Sequence, residues 1–378
     1  MPGRPSRTSL VAVLIAALAL SGCASGTVPS AETGASGQDS CLTGELTYTY
    51  ADAESGGHPT LPAPLVSWRL AGAESDGGDP EERSVGLTDA DGAFTGCAPA
   101  ETLHDATITF TAENDGLWRV VDAYGPDDTV FAFSTEPVDG AVGDVDLGAV
   151  SAPAETAGAF KIVDAVADLY DLRGVDSPCW TEHQEKIEDC HAVTFSWNSE
   201  VPEEDGGYWD ADGSGNVVLA GADPASRHLV LHELGHWWQN ELYDGWFPEV
   251  TGCDPHYVDA PSSTTCAWTE GFADAVAAWV LGDRQYVSSD GTINPFEDQD
   301  GTPWEGGDTT QGNIGATLLD LWRLDGPGAS WDANVALFSS ETSSDFTEYF
   351  TVDRPAAGLP TDGEAEDIIR RHGIDYSG

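Results

Sequence analysis

Two imidazoles four residues apart, with a carboxylate beside the first, occur in His232-Glu233-Leu234-Gly235-His236. On an α-helix this spacing puts both imidazoles on one face, and both can reach a single zinc ion at about 2.0–2.1 Å. Glu233, one residue round the helix, can meet a water activated by that ion. The chemistry open to such a set is hydrolysis: the metal polarises a carbonyl and acidifies water, and the glutamate takes the water's proton and returns it to a leaving amine. The helix that must carry the set has an opening signal in Asp223-Pro224, an N-cap followed by a proline at the first helical position. It has no internal proline from Ala225 to Leu242.

A third protein donor is needed. The metzincin pattern requires Gly three residues and His six residues after the second histidine, but Gln239 and Leu242 stand there. His228 precedes His236 by eight residues, about 12 Å of helix, so it cannot share one ion with both motif histidines and reads as a surface or second-layer group. His256 is an outside candidate. Downstream, Trp268-Thr269-Glu270-Gly271-Phe272-Ala273-Asp274 resembles the second-helix motif of gluzincins, the thermolysin-like zinc metallopeptidases. The resemblance implies one zinc per chain held by His232, His236 and Glu270, with Glu233 as general base. It also implies that Asp274 orients a zinc-bound histidine, His232. Glu270 and Asp274 are one helical turn apart, and a carboxylate behind an imidazole N–H fixes its tautomer.

That resemblance covers the two helices and their surroundings. It departs in the turn-rich loop from Trp246 to Trp268, and no residue matches the family's transition-state donors. Tyr243, His256 and Tyr257 are candidates for that role. Calcium has little support. Asp210-Ala211-Asp212-Gly213-Ser214-Gly215 starts like a calcium loop, yet its twelfth position is Gly221, and the acidic stretch Asp290 to Asp308 reads as a solvated loop.

The remaining elements place this chemistry outside a cell. Arg4 and Arg7 precede an apolar run from Val11 to Leu20, too short for a spanning helix, so residues 1–22 read as a signal peptide. Leu20-Ser21-Gly22-Cys23 resembles the lipobox of bacterial lipoproteins, which implies lipidation at Cys23 and anchoring to the outer face of the cell membrane. Residues 23–40, of small polar composition, read as a flexible tether. Six further cysteines suit an oxidising compartment. Sequence proximity favours Cys179 with Cys190 and Cys253 with Cys266, leaving Cys41 with Cys97. With 66 acidic against 14 basic residues, the net charge of −52 opposes nucleic-acid binding.

Two domains are expected. Short alternating segments such as Glu45 to Tyr50, Leu65 to Leu70, Thr107 to Thr111 and Leu117 to Val121 are separated by turn signals, which predicts an all-β sandwich over 41–150. Gly86 to Cys97 resembles transthyretin-like or carboxypeptidase regulatory-like β-domains, which implies an accessory or spacer role. A linker at 151–158 leads to an α+β zincin-like metallopeptidase domain over 159–378, with helices near 224–243, 269–281 and 313–323. A surface-tethered peptidase acting on proteins or peptides is the leading expectation. An adhesion lipoprotein with an inert zincin-like domain and a zinc amidase acting on cell-wall peptide bonds are the alternatives.

Overall fold

The computed structural model describes residues 38–377 apart from 76–77, 124, 126–128, 203–205, 299 and 325–329, so Cys23 and the expected signal peptide lie outside the described residues. Among those described, no helix is long and apolar enough to cross a membrane.

Mixed α/β architecture is observed, with several sheets. In the first, Asp39–Thr49 pairs antiparallel with Thr60–Pro62 and Ala93–Pro99 and parallel with Val145–Ser151. The second, antiparallel, runs Glu81–Leu87, Ser67–Ala73, His104–Thr111, Ala132–Ser134. Alternation explains the pairing: Leu42, Leu46 and Phe94 from one sheet, and Trp68, Leu70, Ile108 and Phe110 from the other, are buried. The Phe94 and Phe110 rings meet at 5.0 Å. Cys41 stands opposite Cys97 across the first sheet, and all three disulfides pair as the sequence predicts.

A third sheet draws strands from both sides of the expected boundary. Its order is Tyr208–Trp209, Val217–Ala220, Val193–Asn198, Trp118–Asp122, Glu113–Asn114. Strand Trp118–Asp122, expected inside a self-contained β-sandwich, instead pairs in parallel with Val193–Asn198. One hydrophobic core joins the two parts. Phe133 meets Phe160 at 5.7 Å and Phe131 meets Trp197 at 5.2 Å, so residues 38–377 form one compact unit. Periodicity marked 117–121 as a strand but could not say which strand it would lie beside, because pairing is set by distant residues.

Helix α1, Ala157–Leu172, buries Phe160, Val163, Val166 and Leu169 as its apolar stripe predicts. Helices α2 (Arg227–Leu242), α3 (Thr264–Leu281), α4 (Gln311–Leu321) and α5 (Trp331–Ser340) follow. The opening of α2 differs from the expectation. Asp223-Pro224 forms a 3₁₀ turn, Asp223 accepts from the Ala220 N–H at 2.8 Å, and the N-cap is Ser226, whose hydroxyl oxygen accepts from Leu229 N–H. Helix α3 starts earlier than expected because Ser263 caps it, and it ends at Gly282 in the left-handed region, φ 75°.

The β-rich part grips these helices directly. Lys161 of α1, 1% exposed, pairs with Asp52 at 2.8 Å. Glu54 accepts from the Arg227 and His228 N–H groups at the first turn of α2. Of the two placements expected for His228, surface or second layer, the surface one is excluded, because the residue is fully buried. Its Nδ1 lies 3.1 Å from Glu54 and its Nε2 3.1 Å from Asp283. Burial opposes its protonation, but the two carboxylates prevail and push its pKa up to about 8.

Candidate active site

Because α2 has no break between positions 232 and 236, both imidazoles leave one face of the helix, as the spacing requires. The approach of α3 is set by a small residue inside the motif. A Cβ on Gly235 would lie 3.0 Å from Ala273 Cα, so glycine there lets the two backbones close in. Gly271 does the same for α4: a Cβ on it would stand 2.6 Å from Ile314 Cβ and 2.8 Å from the Gln311 carbonyl oxygen. The result is that Glu270 and Asp274 face the motif histidines.

His232 Nε2 lies 3.1 Å from Glu270 Oε2 and 3.1 Å from His236 Nε2, and His236 Nε2 lies 3.5 Å from Glu270 Oε2. Behind them, Asp274 Oδ1 accepts from His232 Nδ1 at 2.9 Å, and Asp274 Oδ2 accepts from Gln311 Nε2 at 3.1 Å. All five residues are at least nine-tenths buried. With the Nδ1 proton directed to Asp274, a neutral His232 turns its Nε2 lone pair toward Glu270 and His236, an arrangement that a proton on Nε2 or a metal cation between the three atoms relieves. Tetrahedral zinc with bonds of about 2.05 Å needs donor atoms about 3.3 Å apart. The observed 3.1–3.5 Å spacing fits such an ion, and His232, His236 and Glu270 form the group that could hold it.

Electrostatics agrees with a cation-seeking site. Burial raises the Glu233 carboxyl pKa, and the neighbouring histidines only partly offset it. Burial likewise works against ionised Glu270, yet His236 and His232 hold it well below the usual carboxylate range. For His232, burial is outweighed by Asp274 and Glu270, which raise it well above the ordinary imidazole value. Glu233 opens onto a cleft of about 560 Å³ and is approached by the Trp209 backbone N–H on the sheet edge.

The other expected residues scatter. His256 Nε2 comes within 3.4 Å of Glu270 Oε2, but it groups with Glu270 and Cys253 rather than with the motif histidines, and Cys253 is tied up with Cys266. Tyr257 is at the cleft mouth, 59% exposed. Tyr243 is buried away from the cleft lining, which removes it as a transition-state donor. The Asp210 carboxylate is taken by the N–H and hydroxyl of Ser214. Sequence reasoning missed Trp209, Phe247, Tyr286, Asn294 and Gln311, which line the cleft from separate elements. No local pattern links them to the motif.

Three convergent donors on two packed helices, with the Glu233 carboxylate beside them, suit a site of the thermolysin-like metallopeptidase class. Residues 173–373 match the Mycolysin C-terminal domain and residues 41–159 the Mycolysin middle domain. The chain belongs to the mycolysin family, a peptidase family. No curated protein matches it significantly. Among solved structures, a 9R-lipoxygenase from Cyanothece aligns at 12% identity and TM-score 0.21, over 39% of this chain and 25% of the lipoxygenase. An (S)-allantoin synthase aligns at 18% identity and TM-score 0.18, over 29% and 41%. The shaft pilin SpaA from Lactobacillus rhamnosus GG aligns at 12% identity and TM-score 0.16, over 29% and 48%. This chain spans less than half the length of each, and such low overlap carries no argument about fold or activity.

Proposed function

We propose that this protein is an exported, lipid-anchored zinc endopeptidase that cleaves proteins or peptides. The observation that carries the reading is the convergence of His232 Nε2, His236 Nε2 and Glu270 Oε2 at zinc-ligand spacing, with Glu233 beside them in the cleft. When bound, zinc supplies Lewis acidity toward the scissile carbonyl and acidifies water. Glu233 takes the proton of the attacking water on its carboxylate and hands it to the leaving nitrogen. Asp274, itself held by Gln311, keeps the His232 proton on Nδ1 so that Nε2 remains a donor atom.

Internal cleavage is favoured over removal of C-terminal residues because no Lys or Arg lines the cleft among the described residues, leaving no fixed cation for a terminal carboxylate. Edge strand Tyr208–Trp209, paired among the described residues with Val217–Ala220, borders the cleft along which an extended peptide would lie. Export and anchoring rest on residues 1–23, with Cys23 as the lipidated position.

The test is hydrolysis of a peptide library by the purified protein, with chelator and after zinc is restored. Glu233→Gln should retain one zinc per chain and lose turnover. Chelator-insensitive cleavage, or full activity in Glu233→Gln, would move catalysis elsewhere.

A further inference from the structure

Peptide hydrolysis places negative charge on the former carbonyl oxygen, and that charge needs a preorganised hydrogen-bond donor. With no Lys or Arg among the described lining residues, the donor must be a histidine, a phenol or an amide. A hairpin beyond α3 brings one. Its strands Gln285–Val287 and Ile293–Pro295 pair antiparallel, with Tyr286 opposite Asn294, and both residues line the cleft. The hairpin is fastened to the motif helix, because the Val287 carbonyl accepts from the hydroxyl of Ser226, the N-cap of α2.

The Tyr286 ring packs edge-on against His232, centroids 5.6 Å apart, and lies 6.3 Å from His228. Packing accounts for the ring; phenylalanine would pack the same way. It does not account for the hydroxyl, which has no hydrogen bond to any described residue. The other phenols are placed differently: Tyr243 lies outside the cleft, and Tyr208 and Tyr257 are 53% and 59% exposed at its margin.

We propose that the Tyr286 hydroxyl is the oxyanion donor of this site, an inference that rests on the peptidase reading above. As water adds to the carbonyl carbon, Glu233 takes the water's proton and the carbonyl π electrons move onto oxygen. Tyr286 donates a hydrogen bond to that oxygen and keeps its own proton. On collapse the C=O bond re-forms, the C–N bond breaks, and Glu233 protonates the leaving nitrogen.

The test is Tyr286→Phe, which removes one oxygen and leaves the ring. Expected are a fall in kcat of about 100-fold or more, a KM within about 3-fold of the parent, and unchanged zinc content and Tm. By calorimetry, a phosphonamidate peptide that mimics the tetrahedral oxygens should bind more weakly by a factor comparable to the loss in kcat. A substrate peptide should bind Glu233→Gln equally well with or without Tyr286→Phe. A kcat within about 3-fold of the parent overturns the assignment, as does equal loss of phosphonamidate and substrate binding or a clear drop in Tm, which would make the hydroxyl structural. A parent protein that cleaves no peptide at all would instead overturn the peptidase reading and this role with it.

Discussion

Removing the buried imidazole of His228 should change how stability depends on pH. Its ring is fully buried between Glu54 and Asp283, each 3.1 Å away, and its pKa rises from 6.5 to about 8 in the folded protein. At 1.36 kcal/mol per pKa unit, this corresponds to about 2 kcal/mol of folding free energy. The sign follows from the direction of the shift. Below pH 6.5 the group is protonated in both folded and unfolded chains, and the stabilisation is fully present. Between 6.5 and 8 the unfolded chain has released its proton while the folded one keeps it, so stability declines as pH rises, and above 8 the contribution is gone. Denaturant unfolding of the parent and of His228→Gln between about pH 5.5 and 9 isolates this group, since the other titrations are shared. The parent should lose about 2 kcal/mol more than the variant across that range, equivalent to roughly 3 °C in Tm for a chain of this size. Parallel stability curves for the two proteins would refute the account of His228 as a charged clasp.

Other outcomes follow from the same geometry. Glu270→Ala leaves two protein donors and should shed zinc on dialysis, whereas Asp274→Asn keeps the three donors and should weaken zinc affinity by about 10- to 100-fold. Metal analysis separates the two, and zinc retained by Glu270→Ala but lost by His256→Ala would transfer the ligand role to His256. Gly271→Ala drives a Cβ to 2.8 Å from the Gln311 carbonyl and 2.6 Å from Ile314, so a destabilisation of about 1–3 kcal/mol is expected; an unchanged melting curve would show that α3 and α4 can part at no cost. Cys23→Ser should move the protein from the membrane fraction to the soluble one, and continued membrane retention after a high-salt wash would end the lipid-anchor reading.

What could be read from the residues alone was local. Four-residue spacing on an unbroken helix settles that His232 and His236 share a face, whatever the rest of the chain does. The same holds for Glu270 and Asp274, one turn apart on a helix whose small residues at 271 and 273 announce close packing. Short cysteine separations limited the disulfides for a related reason, since nearby residues meet with little loss of chain entropy. The tertiary structure decided what depends on residues far apart in sequence. Strand Trp118–Asp122 alternates like its neighbours in the β-rich segment, but it lies beside Val193–Asn198, so one sheet and one core run across the expected boundary, near which the two matched family domains also part. Glu54 reaches a helix that starts 173 residues later, and it settles His228, read as a surface or second-layer group, as a buried, charged one. Tyr286 enters the cleft from a hairpin that is bonded to the cap of α2. Periodicity records which face of an element is apolar; it carries no record of which distant element will cover that face, and the cleft is built from those distant choices.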